Sequence, residues 1–301
     1  MNAASYLKRL AARDIAIVVD TPEAAEVAHR HSLTTIHFDE YDFSKEGDIA
    51  FMIISTYEYH AKLRHLWNAS PAILAHLAVA KFDSSPSSLD YSLRQLLSSN
   101  HDATIQTRAD TYTRLLSNRR AQLESNSGQI SCQFSEEVEI ANDSAVMLAG
   151  WLYSIAEFFE ASIVNLNKDR PSFAVDGTFS FDGLIYLCNN ATLKRKYYDF
   201  FNEMMLACSH GENRIDFSDN TAQTIVIGGS DVTREFREMF CGLERGLAAT
   251  EFALGCADYD RPVDWGINSL LNEGVRGAHI GIGMGAEMPH IDFISTHAKL
   301  R

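Results

Sequence analysis

The sequence predicts an α/β protein, with a small parallel-sheet N-terminal domain over residues 1–127 and a mixed α+β domain over residues 128–301. The run from Ile15 to Asp20 is apolar up to its final aspartate, as expected of a strand buried on both faces. Thr21-Pro22 follows as a helix start, with Thr at the cap and Pro in the first turn. Strand-like and helix-like segments alternate as far as Trp67, which is the pattern of a parallel sheet.

Further elements of the first half follow from the same criteria. Strands are predicted at Thr34 to Phe38 and Phe51 to Thr56, and a long helix at Thr104 to Ser125. Two Ser-rich stretches, Ser84 to Ser88 and Ser98 to Ala103, are typical of turns. The dipeptide Asn126-Ser127 with the following glycine is the predicted linker between the domains.

The second half is predicted to mix strands with two helices. The helices are expected at Lys194 to Ser209 and at Asp231 to Gly246. The strands are expected at Ile130 to Phe134, Phe173 to Phe181, Leu184 to Asn189, Thr221 to Ile227, Glu251 to Leu254, His279 to Gly283 and His290 to Ile294.

Charge and motif content exclude two classes of function. The 301 residues carry 26 Lys and Arg against 40 Asp and Glu, a net charge of −14, so the chain lacks the basic footprint of a nucleic-acid binder. No GxGxxG follows the first predicted strand, which removes support for dinucleotide binding. With 46% hydrophobic and 22% charged residues, the composition is that of a packed globular protein.

Cysteine usage predicts a reducing, cytoplasmic setting. The five cysteines form no CxxC pair and are odd in number, which disfavours a disulfide framework or a thiolate zinc cluster. The N-terminus lacks the apolar core of a signal peptide, and no run of about 18 apolar residues occurs. We therefore expect a soluble protein with no membrane partner.

Two C-terminal strands carry residues with metal-ligand character. His279 lies in GAHIGIG, and His290 and Asp292 lie in PHIDFI. Side chains at i and i+2 of a strand share a face, so His290 and Asp292 point the same way. Together with His279 they form a plausible ligand set for zinc, manganese or non-haem iron, and the surrounding glycines leave room in front of the histidine. The alternative is that these histidines are core or capping groups.

Two acidic residues strengthen the metal hypothesis. Glu157, in SIAEFFEAS, and Glu251, in ATEFALG, lie among apolar neighbours where an unpaired carboxylate would be costly to bury. A metal ion would offset that cost, and a carboxylate bridging two ions would explain an acid in each place. The alternative is that each glutamate lies on the solvent face of its element.

The order AEFFEAS, VDGTFSFDG, TEFALG, GAHIGIG and HIDFI resembles the metal-binding half of the aminopeptidase T family of two-metal exopeptidases, over roughly residues 150–296. The resemblance implies a fold like that family's metal-site domain and one or two divalent ions (Zn, Mn, Co or Fe). It implies Glu157 as the bridging carboxylate, Glu251 and His279 at one ion, and His290 and Asp292 at the other. It further implies hydrolysis of a small peptide or amino-acid derivative by metal-activated water.

The sequence departs from that family's pattern near the site. Gly285-Ala286 stand where the family has a tyrosine that helps to stabilise the transition state, and the loop from His279 to His290 is shorter. Loss of such a donor typically costs about 100- to 1000-fold in rate. Glu287 is the nearby side chain that could act as a catalytic acid or base.

Two other functions remain open. A branch of the same fold contains 2,5-dihydroxypyridine dioxygenases, in which His279, His290 and Asp292 would form a mononuclear iron triad. Compact relatives in peptide natural-product pathways, such as crocagin biosynthesis, bind a precursor peptide without evident peptidase chemistry, so a non-catalytic peptide-binding protein is the third hypothesis. Relatives of this kind often form homodimers.

Overall fold

Three β-sheets organise the chain, whose computed structural model describes residues 1–125 and 128–301. One sheet has five parallel strands, and two antiparallel sheets have seven and six strands. The predicted α/β class, with a parallel sheet in the first half and mixed α+β structure after it, is therefore confirmed. No helix in the described part of the chain has the length and apolar character that a membrane span requires.

Most helices begin at a polar side chain that accepts a first-turn N–H, which satisfies a donor that the helix itself cannot. Thr21 caps the second helix with Pro22 in its first turn, as predicted. The helices are α1 (Ala3–Ala11), α2 (Pro22–Arg30), α3 (Tyr57–Leu66), α4 (Pro86–Ser98), α5 (His101–Leu116), α6 (Ala191–Ala207) and α7 (Thr233–Phe240).

The strands are short and mostly buried on at least one face. They are β1 (Ala16–Val19), β2 (Thr35–His37), β3 (Ile49–Ile53), β4 (Ile73–Leu77), β5 (Arg120–Ser125), β6 (Gly128–Phe134), β7 (Glu139–Ile140), β8 (Leu152–Ser154), β9 (Glu160–Val164), β10 (Phe173–Ser180), β11 (Gly183–Leu187), β12 (Arg214–Ser218), β13 (Thr221–Ile227), β14 (Ser230–Asp231), β15 (Ala249–Gly255), β16 (Gly277–Ile282), β17 (His290–Ser295) and β18 (Lys299–Leu300).

The parallel sheet has the order β2-β1-β3-β4-β8. The carboxyl end of β1 is tied to the start of α3 by Asp20, which is buried. Its carboxylate accepts hydrogen bonds from the backbone N–H groups of Ser55 and Thr56 at 2.9 and 2.8 Å, and from the Thr56 hydroxyl at 3.0 Å. Asp20 therefore occupies the position between β1 and β3 where sheets of this type commonly bind a ligand.

The division at 127/128 stays a prediction. Of the predicted linker, Asn126 and Ser127 lie outside the described residues. The strands on either side of them, β5 and β6, pair with each other in the seven-stranded sheet β14-β13-β12-β10-β6-β5-β18. Strand β8 comes from the second half of the chain and completes the parallel sheet beside β4.

The six-stranded sheet has the order β11-β17-β16-β15-β9-β7 and positions the candidate site. The four strands β9, β15, β16 and β17 are consecutive neighbours, so polar side chains from distant parts of the sequence meet on one surface. Apolar side chains from this sheet and from the seven-stranded sheet form a shared core, which includes Phe252, Ile280 and Phe293.

Three secondary-structure predictions are wrong in part. The helix expected over 104–125 ends at Leu116, and Arg120–Ser125 is a strand in which Ala121 and Leu123 are buried alternately. In the first Ser-rich stretch Ser85 caps α4 and the residues after it begin that helix, whereas the turn predicted over 98–103 is present only at Ser99 and Asn100, between α4 and α5. The last helix ends at Phe240 because two glycines follow, of which Gly242 has φ +91°.

Replacing Asp20 by alanine tests the tie between β1 and α3. We expect Asp20→Ala to lower the free energy of unfolding by about 2–4 kcal/mol, because buried N–H groups lose a charged acceptor. Asp14→Ala is the matched control: Asp14 is exposed and paired with Arg9, so its loss should cost about 0.5 kcal/mol or less. Denaturant unfolding measures both, and equal losses would contradict the assignment.

Candidate metal centre

Carboxylates and imidazoles from four adjacent strands converge on one surface of the six-stranded sheet. Two triads have ligand atoms that all lie within 4.8 Å of one another. They are Glu160–Glu251–His279 and Glu251–His290–Asp292. Strand register explains the meeting: Glu251 and Asp292 are both cross-strand neighbours of Gly281, and His279 precedes that glycine by two residues on the same face.

Glu251 is common to both triads, and its two oxygens face different histidines. Oε1 lies 3.7 Å from Nε2 of His279, and Oε2 lies 3.0 Å from Nε2 of His290. Nε2 of His279 is also 3.5 Å from Oε2 of Glu160. Nε2 of His290 is 3.0 Å from Oδ1 of Asp292. A single carboxylate thus lies between two sets of donors, which is the arrangement of a bridging ligand.

Neighbouring polar groups orient two side chains of the triads, His290 and Glu251. The Nδ1–H of His290 donates to the carbonyl of Gly283 at 2.9 Å, which leaves Nε2 to face the carboxylates. The hydroxyl of Ser162 donates to Oε1 of Glu251. Metal-binding histidines and carboxylates in proteins are commonly held by such outer hydrogen bonds.

Several polar atoms of the cluster are buried without a hydrogen-bond partner among the described residues. They are both ring nitrogens of His279, both carboxylate oxygens of Asp292 and Oε2 of Glu160. His279 and Asp292 are each only 1% exposed. Because a buried polar group without a partner costs free energy, these atoms fit a bound cation that would satisfy them. The cluster could hold a metal ion.

Charges in the cluster change the pKa of its members. Burial would lower the pKa of His279 and His290, but the carboxylates of Asp292 and Glu251 outweigh it and raise both. Burial would likewise raise the pKa of Glu251, but the two histidines that face its oxygens lower it. The pKa of Glu160 is raised well above its ordinary value, by burial and then by Glu251. The two histidines and Glu251 thus stabilise one another's charged forms.

A second glutamate of this region was not foreseen from the sequence. Glu273 follows the turn Leu270–Asn272, and its pKa is raised by burial, then by the carboxylates of Glu160 and Asp292. Burial and the neighbouring carboxylates therefore favour the neutral form of the Glu273 carboxyl group.

Gly281 leaves the space that the ligands occupy. A Cβ at this position would lie 2.5 Å from Cε1 of His290 and 2.7 Å from Oδ1 of Asp292. The room that Gly281 leaves is therefore beside His290 and Asp292, and the expectation of room in front of His279 stays a prediction. Gly277 and Gly283 instead bring backbones together, since a Cβ at either would meet a carbonyl oxygen, of Ser295 or Pro289.

The structure brings together four of the five residues predicted as ligands: Glu251, His279, His290 and Asp292. Glu157 is in neither triad. It lies on the single turn Ala156–Phe158 before β9, where it is half-buried and accepts a hydrogen bond from Nδ2 of Asn142 at 3.2 Å. Burial raises its pKa to about 7, against the opposing effects of Asn142 and Arg108.

Glu160, not Glu157, is the glutamate of AEFFEAS that joins the cluster, and Glu251 lies in the shared position that the aminopeptidase T resemblance gave to Glu157. Glu157 and Glu160 both belong to AEFFEAS, and both have apolar neighbours. Only Glu160 begins strand β9, in which every residue is buried. The β-branched pair Ile163-Val164 after Glu160 is the sequence feature that indicates a strand here.

Glu287, predicted as a catalytic acid or base, lies on the β16–β17 loop. Its side chain is exposed, and none of the described residues forms a hydrogen bond or ion pair with it. The same loop is tied down by the N–H of Asn189, which donates to the carbonyl of Gly285 at 3.0 Å. Gly285 has φ +74°, and a Cβ there would lie 2.7 Å from Nδ2 of Asn189, so a tyrosine would require the loop to move.

A cleft of about 450 Å³ opens beside Glu157. Its outer wall contains three exposed apolar side chains, Val146, Leu148 and Trp151. Asn142 and Glu157, which are hydrogen-bonded to each other, are among its polar lining residues. The cleft thus combines an apolar wall with a carboxyl group of raised pKa.

Substitution of Gly281 tests the packing of the ligands. We expect Gly281→Ala to lower the free energy of unfolding by about 1–3 kcal/mol, because the new methyl group displaces His290 and Asp292 from a buried position. Gly266→Ala is the control, since Gly266 is exposed and a Cβ there meets only the Asp264 side chain, at 3.2 Å. Thermal or denaturant unfolding measures both, and a Gly281→Ala variant as stable as the control would disprove the tight packing.

Two solved structures resemble this chain over nearly its whole length. Wild-type AmpT from Thermus thermophilus is 11% identical, with 96% of this chain and 92% of that chain covered and a TM-score of 0.49. 2,5-Dihydroxypyridine dioxygenase from Pseudomonas putida KT2440 is 12% identical, with 99% and 92% covered and a TM-score of 0.52. At this identity the second likeness shows a shared fold.

No curated protein matches the sequence. A sequence model of one family does match, over residues 12–301, and its description is crocagin biosynthetic protein CgnE/B. The match includes every residue of both triads and the cleft beside Glu157. The chain therefore belongs to the crocagin biosynthetic protein CgnE/B family.

Proposed function

We propose that the two triads bind two adjacent divalent ions through a shared Glu251, and that the site hydrolyses an amide bond of a peptide or amino-acid derivative. The observation that carries this proposal is the position of Glu251, whose two oxygens face His279 at 3.7 Å and His290 at 3.0 Å. Two ions bridged by a carboxylate are a recurrent arrangement in hydrolytic enzymes.

The donor set suits borderline metal ions. Imidazole nitrogens and carboxylate oxygens without thiolates are compatible with zinc, manganese, cobalt or iron. Ions held there would polarise the amide carbonyl and lower the pKa of a bound water. In this proposal Glu160 and His279 would complete the ligand set of one ion, and His290 and Asp292 that of the other.

Glu157 is the residue that we assign to proton transfer. Burial raises its pKa to about 7, which lets one carboxyl group both accept and return a proton near neutral pH. It would take a proton from the attacking water as the water oxygen bonds to the carbonyl carbon. It would then give that proton to the departing amine as the C–N bond breaks, so that the products are a carboxylic acid and an amine.

The family and the cleft support a peptide-related substrate. Members of the matching family are described as crocagin biosynthetic proteins, which supports a role in a natural-product pathway. The apolar wall formed by Val146, Leu148 and Trp151 can hold an apolar side chain of such a substrate beside Glu157. Exposed apolar patches of this kind commonly mark binding sites.

Peptide binding without turnover is the second candidate. It is favoured by Gly285, which has a backbone conformation suited to glycine at the position where the aminopeptidase T resemblance expects a tyrosine. The mononuclear iron triad of the dioxygenase hypothesis fits less well, because His279 lies in a different triad from His290 and Asp292.

Metal analysis of purified protein tests the ligand assignment. We expect the protein to bind about two equivalents of Zn, Mn, Co or Fe after reconstitution, as a two-ion site requires. His290→Ala should remove at least one equivalent, because it deletes a ligand of the second triad. His297→Ala is the matched control, since that exposed histidine belongs to neither triad. A reconstituted protein that binds no metal would disprove the proposal.

A pair of glutamate variants separates ligand from proton carrier. Glu160→Gln should lose metal, since an amide is a poorer ligand than a carboxylate. Glu157→Gln should keep the metal and lower the hydrolysis rate by about 100- to 10,000-fold. Metal content and amide hydrolysis of short apolar peptides measure the two effects. The reverse result, metal loss in Glu157→Gln alone, would restore Glu157 as the ligand. Intact metal binding without any hydrolysis would favour the binding protein.

A further inference from the structure

A basic group of side chains lies at the carboxyl edge of the parallel sheet, outside the two triads. His60 is on the first turns of α3, which follows β3, and Arg64 is one helical turn further along. His76 lies near the end of β4, and Lys81 follows that strand. Because β3 and β4 are adjacent and parallel, these four side chains share one edge of the sheet. This is the edge at which such sheets commonly bind ligands.

Within the described residues, this group has few partners of its own. No hydrogen bond or ion pair forms to the ammonium of Lys81, to the guanidinium of Arg64 or to the ring of His60. His60 is nevertheless buried, at 7% exposure, and its ring centroid lies 6.0 Å from that of His76. His76 uses Nδ1 to contact the carbonyl of Tyr153 at 2.9 Å.

One acid, Glu157, opposes the positive charge of this group, and its effect on Lys81 is smaller than that of Arg64. Burial, then Lys81 and His76, lowers the pKa of His60 to about 3. Burial, then Arg64, lowers the pKa of Lys81 to about 8, and Glu157 opposes this with a smaller effect. Because burial lowers the pKa of His60 to about 3 and that of His76 to about 4, both rings are neutral near pH 7, and the positive charge at this edge belongs to Arg64 and Lys81, in a chain whose net charge is −14. An anion would relieve both the burial cost and the mutual repulsion.

The group is connected to the metal centre through the segment that follows β11. The N–H of Cys188 donates to the carbonyl of Lys81 at 3.0 Å, and Leu187 pairs directly with His290. The hydroxyl of Tyr57, three residues before His60, also donates to the carbonyl of Cys188, at 2.8 Å. The α-carbons of Lys81 and His290 are consequently within about 15 Å of each other, a span of about four extended residues.

We infer that His60, Arg64, His76 and Lys81 form an anion subsite that binds a carboxylate of the ligand held at the metal centre. The inference rests on the proposed function for the identity of that ligand as a peptide derivative. The carboxylate would belong to an acidic side chain or a chain end within about four residues of the reacting amide. The apolar cleft and this subsite would then recognise different parts of one acidic, partly apolar peptide.

Thermal unfolding with acetate as the probe tests the subsite in metal-free protein from which the chelator has been removed. Relative to chloride at equal ionic strength, acetate should raise the Tm of the unsubstituted chain by about 2–4 °C. In chloride, Lys81→Met should have a higher Tm than the unsubstituted chain, because it removes a half-buried ammonium that has no partner. Its Tm should show no acetate-specific rise. Arg64→Gln, at an exposed position, should reduce the rise.

Lys62→Met is the matched control. Lys62 is on the same helix as His60 but is already paired with Glu58 at 3.0 Å and Asp39 at 3.8 Å, so the acetate effect should persist. No acetate-specific rise in the unsubstituted chain, or an equal rise in Lys81→Met, would overturn the subsite. A rise with sulfate but not acetate would overturn its assignment to a carboxylate. Metal content of Lys81→Met, measured separately, reports whether metal binding at the two triads is independent of the anion subsite.

Discussion

Burial of charged and polar ligand groups on a β-sheet is the constraint on which the rest of the site depends. Asp292, His279 and Glu160 each place at least one polar atom where neither solvent nor a hydrogen-bond partner among the described residues reaches it. A β-sheet tolerates such a cluster only if the groups compensate one another or share a cation. The raised pKa values of the two histidines and the lowered pKa of Glu251 reflect compensation between the groups themselves. Binding of a metal ion is the other way to compensate their burial.

That constraint explains features that look unrelated in the sequence. Gly281 is required because any side chain there would occupy the space of His290 and Asp292. Ser162 and the Gly283 carbonyl are required because they fix the orientation of Glu251 and His290. Part of the acidic composition also belongs to the site, since Glu160, Glu251 and Asp292 face inward rather than towards solvent.

The sequence predicts the site better than it predicts the surroundings. His290 and Asp292 are two residues apart on one strand, so local geometry alone places them together. Glu160 was missed because a short apolar stretch cannot distinguish a turn at Glu157 from a strand that begins three residues later. The sequence predicts a helix through β5 because the polar residues of this segment also fit helical spacing. Its pairing with β6 makes it a strand. The basic subsite depends on the contact of α3 and β4 with the segment after β11, which no local pattern encodes.

Membership of the crocagin biosynthetic protein CgnE/B family relates the proposed hydrolysis to a natural-product pathway. The physical basis of that proposal is the arrangement of Glu251 between two histidines. Anomalous diffraction from crystals of metal-reconstituted protein, recorded above and below the absorption edge of the bound metal, tests that arrangement most directly. The account predicts two adjacent anomalous peaks, one on each side of the Glu251 carboxylate, separated by the ~3.5–4 Å typical of bridged pairs. A single peak held by His279, His290 and Asp292 together, or no peak at this position, would contradict it.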